Sequence, residues 1–259
     1  MSPARQKLLE QRLASDKAQD AGTHVIRRRP DQSSAPLSFA QERMWFRSQW
    51  QPGNPAHNRP LAFRLVGLLD IGALERTLAE IVRRHDVLRA TFQNVGGIPV
   101  RTIAPSGPFT LPFQDLTHLS KQGREAEARH LAARESQCPI DLEKGPLFRA
   151  KLFRLDAQEH VLALVVHHIA FDAWSAGVFV QELVAIYEAF SSDQPSPLPD
   201  PPIQYADFAA WQRASLRDTV LEREAAYWKQ QLEGAPPVLE LPGDRKRPRE
   251  QTHCGASQT

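Results

Sequence analysis

The sequence predicts a mixed fold of the α/β (α+β) class. Segments with apolar residues at helical spacing alternate along the chain with short runs of strand character. One of these runs, residues 160–167, is almost continuously apolar after its first residue, which is typical of a strand covered on both faces. With 259 residues, the chain is long enough for one or two domains and a sizeable core.

The composition is that of an ordinary globular protein and disfavours several function classes. Apolar residues make up 41% and charged residues 24%, and 32 basic against 30 acidic residues give a net charge of +2. This balance produces no strong field, so we expect neither a nucleic-acid nor a membrane partner. Two basic clusters, at residues 27–29 and 244–249, lie beside prolines and are interpreted as solvated linkers rather than binding patches.

Cysteine usage and the amino terminus point to the cytoplasm. Cys138 and Cys254 are far apart and lack CxxC spacing, which argues against a disulfide framework and against structural zinc. The amino terminus is charged and has no apolar stretch of the signal-peptide type, and no segment approaches the roughly 18 apolar residues of a membrane span. We therefore expect a cytoplasmic protein without a bound metal.

The first 55 residues predict two helices separated by a linker. Residues 4–19 read as an amphipathic helix, and residues 20–36 have the Gly, Pro and Ser content of a linker. A second helix is predicted to begin after Ser38, which can cap it, with Gln41 completing a capping box. Gly and Pro at residues 51–55 end that helix.

The remaining elements follow from the same periodicities. A strand is predicted at 61–65 and a helix capped by Asp70 at 71–84. A hairpin that turns at two glycines is predicted from the strands 88–93 and 99–103. A further helix is predicted at 122–137 and two strands at 147–155 and 160–167. A long amphipathic helix follows, with apolar residues between Val178 and Phe190 on one face. Five prolines interrupt residues 191–202, and two helices follow around 205–218 and 220–233.

The end of the apolar run carries two adjacent histidines, His167 and His168. Neighbouring side chains on a strand point to opposite faces, so we expect one histidine to be buried and His168 to be presented at the strand end. A neutral imidazole there can accept a proton from an amine or hydroxyl. Asp172 can cap the following helix or pair with an arginine. From the residues alone a purely structural role remains an equal alternative, and a metal site is a weaker third because the two rings diverge.

Residues 167–175 (HHIAFDAWS) resemble the HHxxxDG-W-S motif of nonribosomal peptide synthetase condensation domains. Three further segments resemble other motifs of that family in the same order: 38–45 (SFAQERMW), 84–92 (RHDVLRATF) and 205–212 (YADFAAWQ). The resemblance begins at about residue 36 and continues to the end of the chain. It implies a fold like chloramphenicol acetyltransferase, with two lobes arranged in a V.

The family's domain is longer than this chain, so the resemblance implies the N-terminal half of that V. The chain would then comprise an N-terminal helix and linker (1–35), the lobe with the histidine motif (36–190), and linker helices with the beginning of a truncated second lobe (191–259). Because the catalytic tunnel of the family lies between its lobes, we expect the isolated chain to be incomplete and inactive alone.

The activity that the resemblance implies is amide formation. An acceptor amine would attack a donor thioester, with both substrates carried on the 4'-phosphopantetheine of upstream and downstream peptidyl carrier proteins. The adenylation domain and the remaining condensation lobe would be further partners, and the domain itself would bind no cofactor. Two alternatives stay open: a non-catalytic module that binds carrier proteins or complements a lobe, and a related acyl-CoA-dependent acyltransferase.

The resemblance also assigns roles within the motif. His168 matches the family's catalytic histidine, acting as a base or as a stabiliser of developing charge, and His167 supports it. Asp172 matches a structural aspartate that pairs with an arginine of the second motif, for which Arg84 and Arg89 are the candidates.

The rest of the motif separates this chain from variants of the family. Trp174 and Ser175 are expected to pack at the start of the helix below the site. Both histidines and the Trp-Ser order favour condensation over heterocyclisation and epimerisation. Ala173 replaces the family's glycine, which predicts strain if that position requires a positive φ.

Overall fold

The structure is a computed structural model that describes residues 25–31 and 34–238. The helix predicted at 4–19, the basic cluster at 244–249 and Cys254 lie outside the described residues. The chain divides into two compact units, and the boundary along the sequence lies between Ser215 and Leu216.

The first unit contains two sheets and five helices among its described residues. Its strands are β1 (Ser34–Pro36), β2 (Asn58–Val66), β3 (Ala90–Val95), β4 (Ile98–Ile103), β5 (Phe113–Asp115), β6 (Phe148–Asp156) and β7 (Glu159–His167). Its helices are α1 (Phe39–Trp50), α2 (Ile71–Arg84), α3 (Lys121–Gln137), α4 (Ala173–Phe190) and α5 (Tyr205–Ser215). Short 3₁₀ turns cover Pro55–His57 and Asp86–Arg89. The second unit contains α6 (Asp218–Gln231).

The four-stranded sheet has the order β2-β7-β6-β5 and holds β7 at its centre. β7 is antiparallel to both β2 and β6, whereas β5 lies parallel to β6. The ladder with β2 pairs Val66 with Glu159 at one end and Asn58 with His167 at the other. This register places the histidine motif where the sheet ends.

β7 is covered on both faces, as its apolar sequence predicts. Leu162, Leu164 and Val166 belong to a core cluster that also takes in Leu78 and Ile81 of α2 and Phe179, Leu183 and Ile186 of α4. Ala163, between them on the opposite face, packs with Leu131 of α3 and with Phe153. Layers of helix on each side of the sheet therefore fix β7 and the segment that follows it.

The smaller sheet has the order β1-β4-β3 and supports the histidine motif from another side. Its Phe92 joins Leu37, Trp45 and Leu147 in a second core cluster. Ile169, directly after the two histidines, is buried in the same cluster. The loop after β7 is thus anchored by an apolar side chain.

Most of the predicted elements are confirmed, including both helix caps. Ser38 and Gln41 form the predicted capping box, and the Asp70 side chain accepts a hydrogen bond from the Ala73 backbone. The strand predicted from residue 88 is wrong at its start. Residues 86–89 form a 3₁₀ turn, and the Arg89 guanidinium donates to backbone carbonyls of Val82 and Arg83 in the preceding helix. β1 and β5 were not predicted because three residues are too few to show a period.

α5 belongs to the first unit, whereas the sequence-based division groups it with 191–259. The Tyr205 hydroxyl lies 3.0 Å from Ser38 Oγ, and Arg213 Nε donates to the Leu37 carbonyl at 2.8 Å. The guanidinium of Arg213 also stacks 4.1 Å from the Phe39 ring centre. Side chains of the fourth motif therefore hold the beginning of α1.

Candidate active site

The two histidines at the end of β7 point in different directions, as the strand geometry predicts. His167 is 3% exposed, whereas His168 is half-buried and lines a cavity. Their backbone amides donate to different neighbours, the Leu147 carbonyl at 2.9 Å and the His57 carbonyl at 2.8 Å. The residues directly before β6 and β2 therefore fix the main chain of both histidines.

His167 holds the turn that carries its neighbour. Its carbonyl accepts from the Ala170 amide at 3.0 Å, and its Nδ1 accepts from the Ile169 amide at 3.1 Å. Burial, together with the nearby rings of His57 and His168, lowers the pKa of His167 to about 4. The ring is therefore neutral near pH 7, which its role as an acceptor requires.

A backbone carbonyl orients the ring of His168. Its Nδ1 lies 2.7 Å from the Phe171 carbonyl oxygen. Because a carbonyl can only accept, Nδ1 carries the proton of this hydrogen bond. Nε2 is then the ring nitrogen with a free lone pair in the neutral form, and it is available to a group in the cavity.

The cavity beside His168 has a volume of about 490 Å³. It is enclosed by the beginning of α1, the end of α2, the loop after β7, the first turns of α4, and residues 203–208. Most of its lining is apolar. All four of the resembling motifs contribute side chains to this one space.

Asp172 caps α4 rather than pairing with an arginine. Its Oδ1 accepts from the Ser175 amide at 2.8 Å and from the Ser175 hydroxyl at 2.7 Å, and these bonds lower the pKa of Asp172. The Ser175 Oγ in turn accepts from the Asp172 amide. The expected pair with Arg84 or Arg89 is wrong because the carboxylate is used at the helix terminus and both arginines have other partners.

Arg84 makes a buried ion pair with Glu182, which projects from α4. Arg84 Nη1 also donates to the carbonyls of Leu198 and Pro199, and His85 Nε2 lies 2.8 Å from Glu182 Oε2. Burial raises the pKa of Glu182, but hydrogen bonds from His85 and Arg84 outweigh it and bring the value to about 2. The Arg84–Glu182 pair therefore joins α2 to α4 below the cavity.

Two expectations about the end of the motif are corrected. Trp174 is 84% exposed and lines the cavity, so it does not pack at the start of α4 as expected. Ala173 is the first residue of α4 and is not among the positive-φ residues, so the alanine introduces no backbone strain. Ser175 does lie at the start of the helix, in the cap.

Gln41 supports the site in a way that the sequence did not show. It is 1% exposed, and its Nε2 lies 3.4 Å from the Ile169 carbonyl while its Oε1 accepts from the Ser38 amide. The capping box identified Gln41 as a helix-terminus residue. Its second contact joins residues 128 positions apart, which no local pattern reveals.

Within the described part of the chain, no group of three or more His, Cys, Asp or Glu side chains is arranged to hold a metal ion. Cys138 is exposed and forms no disulfide among the residues that the structure describes. No helix in the described ranges has the length and apolar character needed to cross a membrane.

Comparisons with known proteins indicate the family of the chain. The condensation-domain family profile matches residues 31–259. The chain is 46% identical over 230 residues to a linear gramicidin synthase of Brevibacillus parabrevis, covering 89% of this chain and 3% of that protein. It is 40% identical over 256 residues to phosphinothricin tripeptide synthetase PhsC of Streptomyces viridochromogenes, covering 99% of this chain and 24% of that protein.

Among solved structures, the chain is similar to the X-domain from teicoplanin biosynthesis. The TM-score is 0.75 at 30% identity, and the match covers 86% of this chain and 49% of that one. The fold is thus that of a condensation domain, of the chloramphenicol-acetyltransferase-like class. The chain belongs to the condensation-domain family of nonribosomal peptide synthetases, and it spans about half the length of the solved chain it matches.

Proposed function

We propose that this chain supplies the histidine-bearing lobe of a centre that forms a peptide bond between two carrier-tethered substrates. The observation that carries this proposal is the hydrogen bond from His168 Nδ1 to the Phe171 carbonyl. It leaves Nε2 as the acceptor nitrogen of the neutral ring, beside a cavity large enough for an acyl group.

The chemistry requires few groups. The acceptor amine attacks the thioester carbonyl, a C–N bond forms, the C–S bond breaks, and the amine proton passes to the departing thiolate. Nε2 of His168 can accept that proton or hold the amine and stabilise the positive charge that develops on it. His167, Gln41 and Asp172 act as positioning residues, since each holds the loop or the helix that frames the ring.

The substrates and partners follow from the family. We infer that upstream and downstream peptidyl carrier proteins deliver both acyl groups on 4'-phosphopantetheine and that an adenylation domain loads them. The division into a linker (1–35), a histidine-bearing lobe (36–190) and a segment leading to a second lobe (191–259) belongs to the same proposal, with α5 of that last segment packed against the lobe. Because positioning of two reactants can lower a barrier by roughly 7–11 kcal/mol, we expect the chain to need that second lobe for turnover.

Reconstitution tests this function. The chain is mixed with a complementary second lobe and two loaded carrier proteins, and dipeptidyl thioester is measured by mass spectrometry. We expect His168→Ala to lower the rate about 10²–10⁴-fold, while the matched change at the exposed His118 leaves it unchanged. An unchanged rate in His168→Ala contradicts the catalytic assignment.

The same assay distinguishes the alternatives. Carrier binding without product in the complemented assembly would indicate a non-catalytic module. Product formed from soluble acyl-CoA in the absence of carrier proteins would indicate an acyl-CoA-dependent acyltransferase.

A further inference from the structure

The deep wall of the cavity beside His168 is apolar. Ile81 of α2, Leu88 of the 3₁₀ turn and Phe179 of α4 are buried at its base, with exposures of 1%, 6% and 5%. Half-buried Met44 and Val178 line the sides. A group entering this space therefore meets hydrocarbon on several sides.

The polar side chains inside the cavity already have protein partners. Gln41 is held between the Ser38 amide and the Ile169 carbonyl. Gln204 accepts from the Asp86 amide at 3.2 Å and donates to the Arg84 carbonyl at 2.8 Å. A polar substrate side chain would have to break one of these hydrogen bonds or remain unpaired.

The remaining polar lining follows the same pattern. The Tyr205 hydroxyl lies 3.0 Å from Ser38 Oγ, and His85 Nε2 lies 2.8 Å from Glu182. The charged residues Arg43 and Asp172 are exposed, which places them at the mouth of the cavity rather than at its base. His168 Nε2 therefore faces the reacting centre, and the bottom of the cavity presents no charge to the substrate.

We propose that this cavity binds a large apolar side chain of an aminoacyl group held beside His168, so that at least one of the two joined residues is apolar. The inference rests on the proposed function and adds the substrate class to the same site. The cavity volume of about 490 Å³ lies within the range of roughly 300–1,000 Å³ that is usual for ligand pockets. A charged side chain is excluded because burying it without a partner is costly.

The first test measures binding without turnover. Non-hydrolysable 2-acetamidoethyl amides of leucine, alanine, aspartate and lysine are titrated calorimetrically into the 259-residue chain. Each probe is used with a free amine, as an acceptor mimic, and N-acetylated, as a donor mimic. We expect the leucine form to bind at least about tenfold more tightly than the alanine form in one series, with the charged forms weaker than alanine. The series that shows this preference identifies the substrate whose side chain occupies the cavity.

Two cavity variants and one control variant locate the preference in the cavity. Val178→Asp places a carboxylate in the wall and should abolish binding of the leucine probe. Val184→Asp makes the same change on the same helix at a position that is 51% exposed and outside the cavity, and it should bind the probe like the unaltered chain. Met44→Ala enlarges the cavity and should raise the affinity of a phenylalanine probe relative to the leucine probe.

Several outcomes would overturn the substrate class. These are equal affinities for leucine and aspartate probes, no binding of the leucine probe in either series, equal losses in the two Val→Asp variants, or an unchanged phenylalanine-to-leucine ratio in Met44→Ala. The result is separable from the proposed function, because His168→Ala should retain the order of affinities while losing condensation. Condensation without side-chain preference would refute only the substrate class, whereas preference without condensation would refute only the proposed function.

Discussion

Single hydrogen bonds to the main chain decide which ring nitrogen carries the proton when each of the two histidines is neutral. A carbonyl fixes the proton of His168 on Nδ1, and an amide requires a bare Nδ1 on His167. Two adjacent residues of the same type are therefore held as opposite tautomers. One of them exposes a lone pair to the cavity and the other uses its lone pair to hold the turn.

The buried His167 predicts a specific loss of stability in mild acid. Its folded pKa of about 4 lies below the ordinary 6.5, so protons bind preferentially to the unfolded chain. Between pH 6.5 and 4 this group should cost about 3 kcal/mol. His167→Asn places an acceptor oxygen near the position of Nδ1 and removes the titrating ring. Over the same pH interval, its free energy of unfolding should fall by about 3 kcal/mol less than that of the unaltered chain, as measured by urea unfolding.

The same substitution at His118 provides the control, because it removes a histidine that is exposed rather than buried. A parallel loss of stability in His167→Asn and the unaltered chain would show that His167 is not held neutral in the folded state.

Asp172 provides a second test at the level of a single side chain. As the N-cap of α4, it should tolerate Asn far better than Ala, because Asn also accepts from the Ser175 amide. We expect Asp172→Ala to lower the free energy of unfolding by about 1 kcal/mol and Asp172→Asn by a few tenths. Equal losses in the two variants would instead indicate that the charge pairs with a cation.

At the scale of elements, the contact between α2 and α4 depends on a buried pair of opposite charges. Arg84 and Glu182 side chains are 5% and 12% exposed, and the two residues lie 98 positions apart. Removing one partner leaves the other charge unpaired in a site that water reaches poorly. The ion pair thus makes the relative position of the two helices that flank the cavity sensitive to one residue.

We expect Glu182→Gln to lower the free energy of unfolding by about 3 kcal/mol near pH 7, because it leaves the charge of Arg84 without its partner. Glu188→Gln is the matched control on the exposed face of the same helix and should change stability by less than about 0.5 kcal/mol. Chemical denaturation of the three proteins measures the difference.

The pH dependence of this pair has a defined sign. The pKa of Glu182 is lowered to about 2 from an ordinary 4.5. Its stabilising contribution is therefore complete above pH 4.5 and is lost as the pH falls towards 2. The gap between the unaltered chain and Glu182→Gln should narrow in that interval, and a constant gap would contradict the ion pair.

At the scale of the whole molecule, the segment after α4 completes the first unit. The carbonyls of Leu198 and Pro199 accept from Arg84, and Gln204 and Tyr205 bond to residues of the second and first motifs. Five prolines keep residues 191–202 free of helix, so the chain can run along the surface and return to α1. The unit is therefore held together by its two ends as well as by its core.

Truncation tests where this unit ends. A chain ending at Ser215 should unfold cooperatively with a midpoint close to that of the full chain, since the buried clusters of the described residues lie before it. A chain ending at Phe190 should unfold at a lower denaturant concentration, because Arg84 loses the carbonyls of Leu198 and Pro199 and Ser38 loses the Tyr205 hydroxyl. Equal midpoints for the two truncations would instead support a unit boundary at residue 190.

The local features of the fold were predictable from the sequence. Ser38 and Asp70 identified two helix starts, and the apolar run at 160–167 identified the central strand, because caps and periodicity involve neighbouring residues. β1 and β5 were missed because each has three residues and gains its strand geometry only from a partner. The start of β3 was misplaced because the tight turn before it is held by Arg89.

The candidate site divides in the same way. The alternation of side chains along a strand was enough to separate His167 from His168, and the order of the motifs was enough to indicate the family. The choice of Glu182 rather than Asp172 as the partner of Arg84, the exposure of Trp174, and the apolar cavity were decided only by tertiary structure. The physical reason is distance along the chain. A cap or a strand face depends on residues a few positions apart, whereas an ion pair or a cavity depends on how separate elements pack.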